Sequence, residues 1–452
     1  MQVICPSNNI PERSYAVRVM INDLLGIGLT SDDILFNDSV EDYHILVGGK
    51  EIVVEDHFFQ HFQTPLSYIA KANVPDHVEY FHAFGLAIPI VYGTDKYEET
   101  ERGIRVGLDI FASLFFMLAR WEESLLGRDE EGDCKELELF TVRNGIHQRP
   151  IVHEYEQLLR KVLDTCGVPM GERKYKVVLS HDVDGMLTPT YCEIISDFFD
   201  QRKNGPPQNT ILNLTWKSKR SYKKTFPTAY SQFEFYTQQV KKYNILEWFY
   251  FKVCDKGEEE VTYCYDDRKV RRVVSQLREE GNPNIIMGFH PSQTTFNNPQ
   301  QWDEECHRIE GLLGEKPTIG RNHRLLYNLQ TMRLWEKSFS KEGHPLDISN
   351  SVFHGMHGFR NGVAVPFPIF DYYERRQMNL IEHPNQIMDT VIRYNYNKYT
   401  DADRWLLEEN IIDKVKEHKG ELVLTWHIYL RSKWIITNGF DWCERILKYA
   451  CK

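Results

Sequence analysis

The chain alternates short apolar runs with longer amphipathic stretches, and this alternation changes character near residue 174. Between residues 15 and 163 it mixes β-like pieces, His44-Ile45-Leu46-Val47 and Glu51-Ile52-Val53-Val54, with helical patterns such as residues 150–163. That mixture predicts a small α+β or α/β domain. Beyond residue 174, apolar runs of strand length recur at residues 176–179, 246–253, 284–289, 318–321, 345–348, 379–382 and 421–426. Amphipathic helices are predicted over residues 232–243, 267–280, 300–313, 331–341 and 402–418. Strands joined by helix-length crossovers pair in parallel, so seven of them predict a barrel-like α/β sheet. A chain of 452 residues is too long for one ordinary core. Two domains are expected, an N-terminal one over residues 1–170 and the barrel over residues 171–452.

Composition narrows the possibilities. Hydrophobic residues make up 42% and aromatics 13%, as in a globular protein. A formal net charge of −11 and the lack of a long basic run argue against a nucleic-acid partner, because phosphate affinity comes from clustered Lys and Arg. The most apolar stretch, residues 108–119, is followed at once by Arg120, Glu122 and Glu123. It is too short to span a bilayer and predicts a buried helix. The first thirty residues lack the basic start, apolar stretch and cleavage site of a secretory signal, so a cytoplasmic location is expected. Nine cysteines without a Cys-x-x-Cys pair fit reduced thiols. Residues 201–228, with Lys217, Lys219, Arg220, Lys223 and Lys224, read as a basic insertion, either a solvated loop or a lid over an anionic or extended substrate.

The chemistry concentrates where the apolar runs end. Val177-Val178-Leu179-Ser180 runs directly into His181-Asp182-Val183-Asp184. In extended backbone Asp182 and Asp184 project to the same side at the strand's carboxyl end, where α/β folds gather their active sites. Two carboxylates that close repel unless a cation lies between them or they have separate jobs. The later runs end in His290, in Arg321 and His323, in Asp347, in Asp389 and in His427. One Asp with two His is a common open coordination set for zinc and similar divalent ions. Such an ion acidifies water, a carboxylate removes a proton, and a histidine protonates the leaving group. The set therefore suits metal-assisted hydrolysis. An apolar strand followed by Asp-x-Asp also occurs in metal- and nucleotide-sugar-dependent glycosyltransferases, a reading that leaves His290 and His427 idle.

The Ser180-His181-Asp182-Val183-Asp184 strand end, the Gly288-Phe289-His290 segment and the Thr425-Trp426-His427 strand end resemble the polysaccharide deacetylase family, carbohydrate esterase family 4, in its branch with an Asp-x-Asp first motif. Residues 108–123 and 149–155, with Gly358-Phe359-Arg360-Asn361-Gly362, resemble a bacterial subgroup of these enzymes that carries an N-terminal accessory domain. The resemblance implies a distorted (β/α)7 barrel and metal-dependent removal of acetyl groups from a saccharide, with Zn2+ the first choice of ion and Ni2+, Co2+ or Fe2+ alternatives. It assigns Asp182 as catalytic base, Asp184 and His290 as metal ligands, and His427 as general acid. Where the family has a second metal histidine, four residues after the first, this chain has Thr294. The family's Arg-x-Pro-Tyr segment is replaced by Arg321-Asn322-His323-Arg324. His323 is then the candidate third ligand, and Arg321, Asp347 and Arg360 are candidates for substrate contacts. A sugar-binding or scaffold protein on a barrel without its metal is the alternative that Thr294 leaves open.

Overall fold

The chain is mixed α/β, and the computed structural model describes residues 1–101, 103–128, 134–185, 229–254, 263–326, 328–396, 399–428 and 439–452. The basic insertion at residues 201–228 lies outside the described residues. Two compact units emerge, each assembled from separate stretches of chain. The first comprises Met1–Lys176, Arg324–Ile387 and Glu409–Leu422; the second comprises Val177–His323, Met388–Glu408 and Val423–Lys452.

In the first unit a six-stranded mixed sheet runs in the order Ile34–Asn37, Gln2–Pro6, Tyr43–Val47, Lys50–Val54, Gly103–Leu108, Gly93–Thr100. Gly48 and Gly49 turn the central hairpin, both at positive φ, which a two-residue turn of the primed type requires. The apolar stretch becomes the helix Ile110–Ala119, buried along its whole length and capped by Asp109, whose carboxylate accepts from the Ala112 amide at 3.0 Å. A second sheet portion pairs Leu346–Ile348 in parallel with Arg376–Glu382, which pairs antiparallel with Phe367–Asp371. That last strand departs from the parallel pattern expected. The four-residue connection from Asp371 to Arg376 is too short for a crossover, and Pro368 suits a strand at the sheet edge.

The second unit carries the parallel ladder. From one side the strands that lie in it wholly or for most of their length are Ile319–Gly320, Ile285–Phe289, Leu246–Phe251, the strand Lys176–Val183 and the strand Glu421–Thr425. Phe289 lies opposite Gly320, Phe251 opposite both Phe289 and Val183, and Tyr250 opposite Asp182. This register brings the carboxyl ends of neighbouring strands level. Helices flank the ladder, among them Arg268–Glu279, which buries Val270, Val273, Val274 and Leu277 at the spacing of one helical face. Pro299–Leu313 starts on an Asn298 cap with proline in its first turn and stops at Gly314, φ 71°. None of the described helices is long and apolar enough to cross a membrane.

Gly288 marks a close approach of two strands. A methyl group there would collide with Ile319 Cγ1 and lie 2.5 Å from the Ile319 carbonyl oxygen, whereas one on Gly311, in a helix, would meet nothing within 4 Å. Gly288→Ala is expected to cost about 1–3 kcal/mol of stability, the usual penalty for overpacking. Gly311→Ala should be neutral or stabilising by up to about 1 kcal/mol. Urea unfolding of the two variants checks this, and equal midpoints would mean that the strands do not meet at residue 288.

Candidate active site

The alternation of side chains along the strand Lys176–Val183 separates two environments. His181 faces one way, its Nδ1 2.7 Å from the Trp426 carbonyl and its Nε2 3.2 Å from Glu247 Oε1, with its ring against Tyr236 and Phe249. Burial lowers the His181 pKa to about 3 and holds the Glu247 carboxyl well above its ordinary range. Ser180 and Asp182 face the other way and meet Arg321. That buried guanidinium donates from Nη1 to Asp182 Oδ1 at 2.9 Å and from Nη2 to Ser180 Oγ at 3.0 Å, and it stacks 4.6 Å from the centre of the Tyr250 ring. Burial by itself would raise the Asp182 carboxyl, but Arg321 foremost, with His290 and His427, holds it well below the usual carboxylate range.

His290 follows the strand Ile285–Phe289, and its Nδ1 lies 2.7 Å from the Arg321 carbonyl. That acceptor assigns the proton to Nδ1 and leaves the lone pair on Nε2. Nε2 is buried, makes no hydrogen bond among the described residues, and lies 3.7 Å from Asp182 Oδ2 and 3.9 Å from Asp184 Oδ1. Burial pulls the ring's pKa down to about 4, so the imidazole is neutral at physiological pH. Asp184, His290 and His323 each offer a ligand atom, and these atoms all lie within 4.8 Å of one another. A carboxylate, a neutral imidazole oriented by a backbone carbonyl, and a second imidazole form a donor set that fits a zinc-like divalent ion. Thr294 is exposed and hydrogen-bonds to the Ser292 hydroxyl at 2.8 Å.

His427 supplies the opposite polarity. Its Nδ1 sits 2.6 Å from Asp389 Oδ1, its backbone amide donates to Asp389 Oδ2 at 3.1 Å, and its Nε2 lies 3.7 Å from Asp182 Oδ2. Burial would lower the ring's pKa, yet Asp389, with Asp182 and Asp184, lifts it to about 9. Lys252 completes the group. It is fully buried, and its Nζ lies 3.1 Å from Asp184 Oδ1. Burial again opposes ionisation, but Lys252 leads the charges that hold the Asp184 carboxyl below its ordinary pKa.

Asp182, Asp184, His290, Arg321, His323 and His427 thus gather in the second unit. Asp347 and Arg360 are found in the first. Asp347 Oδ1 lies 3.4 Å from His383 Nε2, and Arg360 is ion-paired to Glu123 at 3.1 Å and to Glu136. Lys252 was not anticipated. Its signal is nonetheless in the sequence, as a charged residue directly after the apolar run Leu246–Phe251. Asp389 was noted only as a strand-end carboxylate, and its partnership with His427 depends on a pairing between distant segments.

Residues 1–167 match a family model described as a family of unknown function, DUF7033. A search of curated proteins returned no match. Among solved structures the chain is similar to a protein assigned as a polysaccharide deacetylase in Mycobacterium smegmatis, at 14% identity and a TM-score of 0.36, over 63% of this chain and 86% of that one. It is also similar to PuuE allantoinase, at 12% identity and a TM-score of 0.34, over 61% and 83%. A probable polysaccharide deacetylase from Pseudomonas aeruginosa PAO1 aligns at 12% identity and a TM-score of 0.34, over 61% and 84%.

The His427–Asp389 pair generates a pH prediction. A histidine whose pKa rises from 6.5 to about 9 on folding contributes stability that is fully present below pH 6.5 and is lost as pH rises through 9. In the presence of a chelator, Asp389→Asn should flatten the stability curve between those limits by roughly 1–3 kcal/mol relative to the unmodified protein. Denaturant unfolding across that range measures it; superimposable curves would remove the pair from the account.

Proposed function

We propose that this chain is a metal-dependent hydrolase that removes acetyl groups from a bacterial saccharide or saccharide precursor. In this reading a distorted barrel of polysaccharide deacetylase type spans residues 171–452, after an accessory domain over residues 1–170. The observation that carries it is the convergence of Asp184, His290 and His323 beside one ionised carboxylate, Asp182, and one histidine of raised pKa, His427. Asp184, His290 and His323 would hold the ion, most suitably Zn2+, which when bound supplies Lewis acidity toward a carbonyl and toward water.

The protein's own groups divide the proton work. Asp182 keeps Oδ1 engaged by Arg321, so Oδ2 is the atom that accepts a proton from water adding to the acetyl carbonyl. His427 is charged below about pH 9 and donates from Nε2 to the departing amine or alcohol, while Asp389 holds Nδ1 and keeps the ring oriented. The C–N or C–O bond breaks, acetate leaves, and the two side chains exchange their protons with solvent before the next turnover. A second reading, a sugar-binding scaffold that holds no metal, draws on the Lys252–Asp184 ion pair and on Thr294 in place of the expected histidine.

Asp184→Asn should abolish both bound metal and acetate release, while Asp182→Asn should retain metal and lose most of the rate. His427→Ala should keep metal and slow turnover by roughly two to four powers of ten. Elemental analysis and an acetate-release assay on a panel of N- and O-acetylated saccharides check these outcomes. Full acetate release by both aspartate variants would refute the assignment, and a protein that takes up no metal supports the scaffold reading.

A separate expectation concerns the third ligand. His323→Ala should weaken metal binding far more than Thr294→Ala, because a threonine hydroxyl is a poor donor to a borderline-soft ion. Equal losses in a titration with Zn2+ would return the third position to solvent or substrate.

A further inference from the structure

We propose that Lys252 is a built-in competitor for the metal, an ammonium that neutralises Asp184 when the ion is absent and must yield when it binds. The inference rests on reading Asp184, His290 and His323 as the metal centre, and it concerns how that centre is loaded.

Lys252 is not a surface lysine that happens to lie nearby. It follows directly on the strand Leu246–Phe251, whose register sets Phe251 opposite Val183, so Lys252 and Asp184 leave adjacent strands at the same level. The Tyr263 hydroxyl clamps that level, lying 3.0 Å from both the backbone nitrogen and oxygen of Lys252 and 2.9 Å from the Val183 carbonyl. The lysine side chain is fully enclosed, with Nζ 3.1 Å from Asp184 Oδ1. A buried charge is tolerated when it is paired, and here the pair involves an oxygen of the same carboxylate that the ion would take.

Both cations want that carboxylate. With the ammonium in place the metal-free site is electrically balanced and can stay folded. A divalent ion on Asp184 would bring two further positive charges to within a few ångströms of Nζ, in surroundings where water screens them poorly. Binding therefore has to displace the ammonium or bear its repulsion, and either lowers affinity. The centre thus behaves as an exchange of one cation for another, with occupancy that follows the free concentration of metal.

The experiment titrates Zn2+ against a chromophoric chelator with the full chain, with Lys252→Met and with Lys252→Gln, and records the metal-induced rise in melting temperature for each. The glutamine variant retains a hydrogen-bond donor near Asp184 in case the methionine variant does not fold. Both variants are expected to bind roughly ten- to a hundredfold more tightly, as removal of a like charge at short range predicts. Their melting temperatures should rise more on metal addition than that of the unmodified chain. Unchanged or weaker binding by the lysine variants overturns the competitor role while leaving the metal centre standing. Absence of Zn2+ binding in every form overturns the metal centre itself, and the competitor with it.

Discussion

Burying two carboxylates two residues apart is the constraint on which the rest of the site depends. Asp182 and Asp184 leave the same strand on the same side, and neither is appreciably exposed. Without compensation they would repel or take up a proton. The protein answers with cationic side chains from three neighbouring stretches of chain, Arg321, Lys252 and His427, the last a ring whose pKa is raised to about 9. Each arrives because a parallel ladder aligns strand ends, so one structural device both creates the problem and solves it. The compensation is also divided by residue. Asp182 is paired with arginine, whose charge is permanent and whose fork also fastens Ser180, while Asp184 is paired with a lysine that a stronger cation can replace.

Much of this was legible in the amino-acid order. Each of the seven apolar runs expected to be strands is a strand in the structure, because short β-branched and aromatic runs ending in polar residues leave little alternative. The gathering of Asp182, Asp184, His290, Arg321, His323 and His427 follows from one rule, that loops at the carboxyl ends of parallel strands converge. Three things were not legible. Phe367–Asp371 carries a proline, and a sequence reading weighs against it as a strand, whereas an edge position tolerates it. Lys252 sits where a long aliphatic stem ordinarily carries its charge to water, and nothing local says that Tyr263 and Asp184 enclose it. Asp347 also ends an apolar run, yet its partner is His383 in the first unit; a strand-end position names a class of candidates without saying which neighbours they meet.

The two groups best placed for proton transfer differ in the direction their surroundings push them. Asp182 and His427 lie 3.7 Å apart and would share one charge-neutral contact in isolation. Arg321 on one side stabilises the carboxylate, and Asp389 on the other stabilises the imidazolium. Each partner lies on the far side of its residue, so the pair is held as acid and base in their charged forms instead of collapsing to a neutral acid beside a neutral ring. Under the proposed hydrolysis, environments that separate two proton affinities in this way suit Asp182 to the base role and His427 to the acid role. The carboxylate, however, is held so firmly by arginine that its intrinsic basicity is low. It can accept a proton only from a donor made more acidic than free water. In the proposed reading, an ion held by the Asp184, His290 and His323 cluster would acidify that donor. The weakness of Asp182 as a base and the presence of a three-ligand cluster beside it are therefore two sides of one requirement, which ties the proposed hydrolysis to occupancy of that cluster.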